Sequence, residues 1–538
     1  MNLNAYGYGP PDARKWIVVD IGVTFGREDT TPGIDLILPD PTYLEEVRDN
    51  IIGIVLTHAH EDHIGALGWL WPRLKAPCYA TPFTAALIRE KLREHGLIEK
   101  VPLTEIPLKG QLTLGPFEID FVTLTHSIPE PNGLAIRTPL GLVWHTGDWK
   151  LDPNPLIGEV TDEAKLRQMA EEGVLAMVCD STNVFVEGTT GSEADVREKL
   201  TEVIGKCTGR VAVTAFASNV ARVETALHAA RLAGRTPCLV GRSMHRIYNA
   251  AKSVGLLQDS PQVIDEDDAG TLPDHKVLFL CTGSQGEARA ALSRIARGDH
   301  RNVSLRKGDT VIFSSRVIPG NEAAIHSLYE AFISRGVELI TADDQPVHVS
   351  GHPARDELRQ MYSWARPRIA VPVHGEMRHI REHVKLAQSL QIPETIAPNN
   401  GDLIRLAPGP AVLIDEVPAG RLYVDGSTII ETEDDALKDR RRLGAEGAVN
   451  VALAVSAKNA LMAGPNVSVR GLTMTEEDDM ELALEELERS ASAAFAKLSH
   501  ADRDDDEAIE GALMRAVRKS AEKLWRKRPL VDVSVLRL

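Results

Sequence analysis

The chain has few of the features that mark secreted and membrane proteins. Only five of its 538 residues are cysteine, and their wide spacing provides neither a zinc-finger pattern nor a disulfide framework. No apolar run approaches ~20 residues, so we expect no membrane-spanning segment and no membrane partner. The first ten residues lack the basic and apolar regions of a signal peptide. These absences favour a cytoplasmic protein.

Aromatic residues and positive charge are also scarce. Aromatic side chains make up 5% of the residues, and acids outnumber bases to leave a net charge of −17. This balance argues against broad electrostatic binding of nucleic acid, but it does not exclude a basic cleft on an acidic body. The length exceeds what one hydrophobic core supports, so we expect two or three domains.

The sequence does contain a dense cluster of metal-binding residue types. The segment 57–63 reads Thr-His-Ala-His-Glu-Asp-His and carries three histidines and an aspartate. An apolar run at 51–56 predicts a buried strand before it, and residues 64–70 predict the start of a helix after it. A lone surface histidine carries little meaning, but imidazoles at this density would crowd one another without a cation. The segment therefore predicts a transition-metal site.

Acids and histidines also follow other predicted strands. The predicted strands, each with its polar residue, are 16–22 with Asp20, 117–122 with His126, 142–148 with Asp148 and 174–180 with Asp180. Ligands bind at the carboxyl ends of strands in layered α/β folds, so we expect these side chains to meet.

The sequence pattern changes near residue 192. Helix patterns alternate there with short buried strands, and Ser218 and Asn219 form a plausible helix cap. The predicted strands are 210–214, 238–240, 277–280 and 310–313. Metal-binding residue types return afterwards at His348, His352 and His374. This pattern indicates a parallel α/β unit inserted into the first domain.

The last region follows a highly charged stretch at 431–442. It contains an acidic helix predicted around 476–488 and a second helix predicted around 507–524. A basic segment closes the region and comprises Arg515, Arg518, Lys519, Lys523, Arg526, Lys527 and Arg528. For these charges we favour a solvated helix face over a nucleic-acid patch.

The candidate metal ligands form two groups with one residue between them. The first group is His58, His60 and His126. The second group is Asp62, His63 and His374, and Asp148 would bridge the two. Nitrogen and oxygen donors without thiolate suit zinc or manganese and leave room for water, which is typical of a catalytic site. Two ions ~3.5–4 Å apart can stabilise the attacking and the leaving oxygen of a hydrolysed ester.

These motifs resemble those of the metallo-β-lactamase superfamily, whose first acidic motif matches Asp20 and whose fourth matches Thr146-Gly147-Asp148. The inserted unit is similar to a β-CASP domain, the mark of members that process nucleic acids. Its motifs A, B and C match Asp180, His352 and His374. With Gly283-Ser284-Gln285-Gly286-Glu287, Arg440-Arg441-Arg442 and the appended last region, nearly the whole chain resembles the bacterial ribonuclease J family.

The resemblance implies the fold class and the domain limits. It implies an α/β chain in which a metallo-β-lactamase αββα sandwich is interrupted by a β-CASP α/β domain and followed by a small α+β C-terminal domain. We expect the sandwich at 1–192 and 348–430, the β-CASP domain at 193–347, a linker at 431–450 and the C-terminal domain at 451–538.

The resemblance also implies roles around the metals. Two divalent ions are expected, zinc in the first place and manganese as the alternative. Asp62, Asp180 and His352 are the expected catalytic residues, and Asp20 is expected to support a ligand histidine from behind. His352 would stabilise developing charge and protonate the leaving oxygen, or it would make only a structural hydrogen bond.

A separate set of residues is expected to bind the substrate, comprising Ser284, Ser315, His348, Ser350, Gly351 and His352. Backbone N–H groups and hydroxyls in such loops suit a terminal phosphate. Ordinary turns are the rival interpretation for Gly283-Ser284. His348 would line the nucleotide site or simply complete a loop.

The implied activity is that of a metal-dependent ribonuclease in RNA maturation and decay. It would act as a 5′→3′ exonuclease that prefers 5′-monophosphate RNA, with endonuclease activity as well. The implied partners are single-stranded RNA, a second copy of the chain in a homodimer (a tetramer is the alternative) and other RNA-decay proteins.

Two other functions are compatible with parts of the pattern. A hydrolase of a lactone or a small phosphodiester would use the same metals, but it would need neither the inserted domain nor His352. A non-catalytic RNA-binding or scaffold protein would be expected to lose metal ligands, whereas this set is intact. The ribonuclease interpretation is therefore favoured.

Overall fold

The chain folds into two compact units, each built from segments distant in sequence. The computed structural model describes residues 1–27, 29–474 and 477–538, with side chains from residue 479 onward in the last range. The first unit comprises Met1–Thr24 and Leu38–Gly420, and the second comprises Phe25–Ile37 and Arg421–Leu538. The domain limits expected from the sequence are finer than this division and stay a prediction.

Two sheets form the centre of the first unit. The five-stranded sheet has the order Asn4–Tyr8, Lys15–Val19, Ile51–Val55, Cys78–Ala80 and Leu103–Glu105. The seven-stranded sheet has the order Glu394–Thr395, Ile369–Val373, Val174–Asp180, Gly141–His145, Asn132–Thr138, Phe117–Thr123 and Gln111–Leu114. Ile17 and Val55 of the first sheet share one core with Phe121, Leu134 and Val178 of the second. Burying such surface, at ~25 cal/mol per Å², holds the sheets face to face.

Helices cover the outer faces of this sandwich. Those on the seven-stranded sheet are Glu163–Glu172, Arg355–Ala365 and Met377–Ser389. Their Leu166, Met361 and Leu386 pack with Met177 of the sheet. The other group comprises Thr42–Glu46, Glu61–Ile64, Leu67–Leu74 and Pro82–Glu94, the last of which contacts two strands of the five-stranded sheet. The predicted αββα layers are therefore confirmed.

A separate parallel sheet occupies the middle of the chain. Its order is Thr236–Val240, Val277–Cys281, Val211–Thr214, Thr310–Phe313 and Glu338–Ile340. The helices around it are Glu193–Lys206, Val220–Leu232, Arg242–Ser253, Ala291–Arg297 and Glu322–Ile333. Asn219 caps one helix by accepting a hydrogen bond from the backbone N–H of Arg222, as predicted. The inserted parallel unit is confirmed, and the carboxyl ends of its strands share one edge.

The second unit has a core of its own. A three-stranded sheet, ordered Leu461–Arg470, Ala448–Val455 and Leu530–Arg537, packs against the helices Glu477–Lys497 and Asp506–Trp525. These helices confirm the two predicted around 476–488 and 507–524, although residue 476 lies outside the described residues. A further helix is Asp435–Glu446, and a four-stranded sheet has the order Thr428–Glu431, Arg421–Asp425, Leu36–Pro39 and Thr24–Phe25. The hairpin of Asp402–Arg405 with Val412–Glu416 belongs to the first unit.

The elements that border the histidine-rich segment end earlier or later than predicted. The strand predicted at 16–22 ends at Val19, because Asp20 adopts the left-handed region with φ +64°. The strand predicted at 142–148 ends at His145, and a turn with Gly147 at φ +56° follows. The helix predicted from residue 64 begins three residues earlier, as Glu61–Ile64. The two shortened strands leave polar turns at Asp20 and Gly147, whereas Glu61, Asp62 and His63 lie in a helix and not in the predicted loop.

No helix within the described ranges combines the length and the apolarity that a membrane span requires.

Candidate metal centre

The histidine-rich loop connects a buried strand to a short helix. The strand Ile51–Val55 is the middle strand of the five-stranded sheet. The helix Glu61–Ile64 starts directly after His60, whose backbone is extended at φ −68° and ψ 149°. This change of direction turns neighbouring side chains of the loop toward one point. His58 and His63 are buried there, whereas Asp62 is 35% exposed.

The first group of candidate ligands forms a compact nitrogen cluster. His60 Nδ1 lies 3.1 Å from His58 Nε2 and 3.1 Å from His126 Nε2. Asp148 Oδ2 lies 3.9 Å from both Nε2 atoms. One ligand atom from each of these four residues falls within 4.8 Å of all the others. The cluster can therefore surround one ion.

The second group shares Asp148 with the first. Asp148 Oδ2 lies 3.2 Å from His63 Nε2 and 3.4 Å from His374 Nε2. Asp62 Oδ2 lies 3.5 Å from His63 Nε2 and 3.9 Å from His374 Nε2. The structure thus brings together all seven residues that the sequence predicted, divided as expected and joined by Asp148; their assignment as ligands stays a prediction.

Asp20 supports this centre from behind. Its buried carboxylate accepts hydrogen bonds from the backbone N–H of Thr57 at 2.8 Å and from His63 Nδ1 at 2.7 Å. Thr57 also donates its hydroxyl to Asp20, and His58 Nδ1 lies 2.9 Å from that hydroxyl. One carboxylate therefore orients two imidazoles so that their Nε2 atoms face inward.

Burial keeps the imidazoles of the first group neutral. It holds the pKa of His58 and His126 well below the ordinary value, and it lowers the pKa of His60 to about 4. The charge-free nitrogens are in the form that binds metal. The 3.1 Å contact between His58 Nε2 and His60 Nδ1 needs a proton or a cation between two lone pairs.

The second group carries an excess of negative charge. Burial opposes the charged form of His63, but the carboxylates of Asp148, Asp62 and Asp20 outweigh burial and raise the pKa of His63 well above its usual range. Burial likewise disfavours ionised Asp148, but His374 and His63 hold its pKa well below the usual range. Carboxylate oxygens and imidazole nitrogens without thiolate fit a divalent transition-metal ion.

His352 and Asp180 form a pair beside the two groups. His352 Nδ1 lies 2.7 Å from the fully buried Asp180 Oδ2, whose partner oxygen accepts hydrogen bonds from Thr182. Burial disfavours charge on His352, but Asp180 reverses the effect and raises its pKa to about 9. The ring is 24% exposed and stacks on that of His374 at 5.4 Å. Among the described hydrogen bonds none involves its Nε2, which can therefore reach a bound molecule.

The predicted substrate residues fall into two places. Ser350 and Gly351 share a loop with His352, and the Gly351 carbonyl accepts a hydrogen bond from His126 Nδ1 at 2.5 Å. Burial and nearby Arg222 lower the pKa of His348 to about 3. Ser284 and Ser315 follow two strands of the inserted sheet at its carboxyl edge. Among the described hydrogen bonds, none joins either serine to a candidate ligand.

Several residues near the centre escaped the sequence-based prediction. Asn2 contacts His374, Asp62 and His63. The buried pair Arg222 and Glu193 ties Ser314 and Val347 together just before the loop of His352. No local pattern identifies such residues, because their partners are distant in sequence.

Family models match four stretches of the chain. They are a beta-lactamase superfamily domain at 16–167, a ribonuclease J beta-CASP domain at 208–332, a Zn-dependent metallo-hydrolase RNA specificity domain at 342–397 and a ribonuclease J C-terminal domain at 435–538. The candidate ligands and the His352 loop lie in the first and third of these stretches.

Full-length relatives agree with these matches. Ribonuclease J of Sinorhizobium meliloti is 45% identical over 539 residues, which cover 100% of this chain and 95% of that protein. Ribonuclease J of Thermus thermophilus is 40% identical over 441 residues, which cover 80% of this chain and 77% of that protein. A solved structure from Enterococcus faecalis, of unknown function, has a TM-score of 0.51 at 15% identity over 76% of this chain and 96% of its own, a similarity of fold alone.

Proposed function

This chain belongs to the ribonuclease J family and is a metallo-hydrolase that acts on RNA, and on that premise we propose that it is a 5′→3′ exoribonuclease. In this proposal it prefers RNA with a 5′-monophosphate and also cleaves internally. The observation that carries the proposal is the complete His/Asp donor set next to the Asp180–His352 pair, of which His352 lies in the stretch that matches an RNA specificity domain.

The divalent metal would be two ions, zinc in the first place and manganese as the alternative. His58, His60 and His126 would hold one, and Asp62, His63 and His374 the other, with Asp148 between them. When bound, the ions would supply Lewis acidity and activate water for attack on phosphorus. The interatomic distances of the two groups and the absence of thiolate donors within them support this proposal.

His352 would act on the scissile phosphodiester directly. Because Asp180 holds its Nδ1 and raises its pKa to about 9, the ring is protonated at neutral pH and presents Nε2–H to the substrate. That group would stabilise negative charge on the phosphate and donate the proton to the leaving oxygen. Asp62 would orient the reacting groups, and Asp20 would keep His63 in its ligating tautomer.

The terminal phosphate would bind where three loops approach the centre. Ser350, Gly351 and His348 lie in the loop of His352, and Ser284 and Ser315 lie at the carboxyl edge of the inserted sheet. Ser314 Oγ donates to the Val347 carbonyl at 2.6 Å, so the Ser315 turn and the His352 loop are adjacent. Hydroxyls and backbone N–H groups there suit a phosphate monoester.

Wider features of the proposal follow the family. We infer a cytoplasmic homodimer, with a tetramer as the alternative, that acts in RNA maturation and decay with other decay proteins. We also propose the domain limits 1–192, 193–347, 348–430, 431–450 and 451–538. Two family-model matches lie within the first two ranges, whereas the matches at 342–397 and 435–538 begin before the proposed boundaries.

A product time course tests the proposal. Two RNAs of one sequence, one 5′-monophosphorylated and one 5′-triphosphorylated, carry a 3′ label and are incubated with Mn²⁺ or Zn²⁺. We expect progressive shortening of the label-bearing product from the 5′ end, faster for the monophosphate and abolished by EDTA. Asp148→Ala is the matched inactive control. Internal cuts that ignore the 5′ group would remove the exonuclease proposal, and full activity in EDTA would remove the metal assignment.

A further inference from the structure

Asn2 is fixed at the centre by its own backbone. Its N–H donates to the carbonyl of Asp62 at 2.8 Å, and its carbonyl accepts from the N–H of Gly22 at 2.8 Å. The three segments approach so closely that a Cβ on Gly22 would lie 1.7 Å from the Asp62 carbonyl oxygen. The position of Asn2 is therefore set independently of its side chain.

The side chain of Asn2 joins three candidate ligands. Its Oδ1 lies 2.8 Å from His374 Nδ1, and its Nδ2 lies 3.1 Å from Asp62 Oδ2 and 2.9 Å from His63 Nε2. The reverse amide orientation would set Oδ1 against the Asp62 carboxylate, so the chemistry of the partners favours this one. An amide oxygen only accepts, and the proton of His374 must therefore sit on Nδ1.

Three of the four other candidate-ligand histidines show the same arrangement, with Nδ1 held by one partner: His58 by Thr57, His63 by Asp20 and His126 by the Gly351 carbonyl. His60 differs, because its Nδ1 itself faces the first group. His374 needs such a partner most, since 16% of its side chain is exposed while the side chains of those three are 0–2% exposed. Its backbone also lies in the left-handed region at φ +53°, which surrounding contacts must maintain.

We propose that Asn2 is a positioning residue of the second metal position. Its amide oxygen selects the His374 tautomer with a free Nε2, and its amide N–H groups orient the Asp62 carboxylate toward the same point. A bound ion would take the His63 Nε2 lone pair that Nδ2 faces in this structure. Asn2 acts through these two ligands and touches neither the substrate nor the reacting atoms. The inference rests on the proposed two-ion centre, and it extends the supporting shell to the first strand of the chain.

Metal affinity tests the inference without any need for activity. Zinc is titrated into the full-length apoprotein against a chromophoric chelator, for wild type, Asn2→Ala and Asn4→Ala. We expect Asn2→Ala to lower the zinc affinity of one of the two positions by about 10–100-fold, the usual effect of removing a hydrogen-bond partner of a ligand. Asn4→Ala is the matched control, because among the described hydrogen bonds none involves the Asn4 side chain. Equal affinities in the three proteins would overturn the inference.

Two nearly isosteric variants separate positioning from folding. Asn2→Leu removes both hydrogen-bonding functions, whereas Asn2→Asp keeps an oxygen acceptor for His374. Both are melted in EDTA to verify folding. We expect weak zinc binding by Asn2→Leu and stronger binding by Asn2→Asp, which keeps the His374 contact although its second carboxylate oxygen faces Asp62. Equal affinity in these two variants would overturn the role of Asn2 even if Asn2→Ala fails to fold. A wild-type chain that binds no divalent ion would instead overturn the proposed function.

Discussion

At the scale of single residues, the centre depends on the groups that lie behind the candidate ligands. Asp20 is fully buried and serves two histidines, one directly and one through Thr57. Asp180 plays the corresponding part for His352. A buried carboxylate without such donors would be strongly disfavoured, so the hydrogen bonds stabilise the acid while they orient the imidazole.

The role proposed for His352 predicts a selective loss of turnover. His352→Ala should lower kcat on RNA by about 10²–10⁴-fold, the range for loss of a general acid, while bound metal stays unchanged. Asp180→Asn should give a smaller loss, because the ring remains but is no longer held by a charge. Steady-state kinetics and metal analysis on the same samples check this. His326→Ala, an exposed histidine of the inserted unit, is the control; a wild-type kcat for His352→Ala would refute the role.

At the scale of elements, the seven-stranded sheet and its helices are joined by a buried histidine. His383 of the helix Met377–Ser389 bonds Ser181 through Nδ1 at 2.9 Å and the hydroxyl of Tyr362 through Nε2 at 3.0 Å. Ser181 directly follows the strand that ends on Asp180, so this link also fixes the strand end that supports His352. Burial lowers the pKa of His383 to about 4.

That pKa predicts acid lability of the sandwich. Between pH 6.5 and about 4, His383 is protonated in the unfolded chain but neutral in the folded chain. The free energy of unfolding therefore falls as the pH falls through this window. The contribution reaches up to about 3 kcal/mol, at ~1.36 kcal/mol per pKa unit. Urea denaturation in EDTA at pH 7 and pH 5 measures it. His383→Gln should have a lower free energy of unfolding than the wild type at pH 7 and should lose less of it between pH 7 and pH 5. Equal losses in the two proteins would contradict the role assigned to His383.

At the scale of the whole molecule, metal binding and the last region belong to different compact units. All seven candidate ligands lie in the first unit, whereas the second has a core that includes Val451, Leu487, Leu513 and Val533. The acidic net charge of −17 makes general attraction of RNA weak, so we expect binding to depend on local groups such as His352 and the loops proposed for the terminal phosphate. Stabilisation by metal should therefore be local as well.

Hydrogen exchange followed by mass spectrometry tests this division. Saturating zinc at ~100 times its Kd should stabilise the folded first unit by ~2.7 kcal/mol and slow exchange in the strand Ile51–Val55. Exchange in the strand Ala448–Val455 of the second unit should stay the same. Asp148→Ala should abolish the zinc effect on the first strand. Equal protection of both strands in the wild type would show that the units open together.

The sequence by itself determined the features that depend on local pattern and spacing. The apolar run before His58 predicted its strand, the alternation after residue 192 predicted the inserted parallel sheet, and the spaced motifs identified the family and therefore the candidate ligands. The predicted strand ends were less accurate, because hydrophobic periodicity gives no sign of the left-handed backbone at Asp20.

Only the tertiary structure decided which residues stand behind the ligands. Asn2 and His374 are separated by 372 positions, and the Gly351 carbonyl and His126 by 225. Such contacts arise where the two sheets and the inserted unit bring distant segments together, and a main-chain carbonyl or a single amide leaves no mark in composition or periodicity. Local sequence therefore specified the donors, whereas the packing of the layers selected their partners.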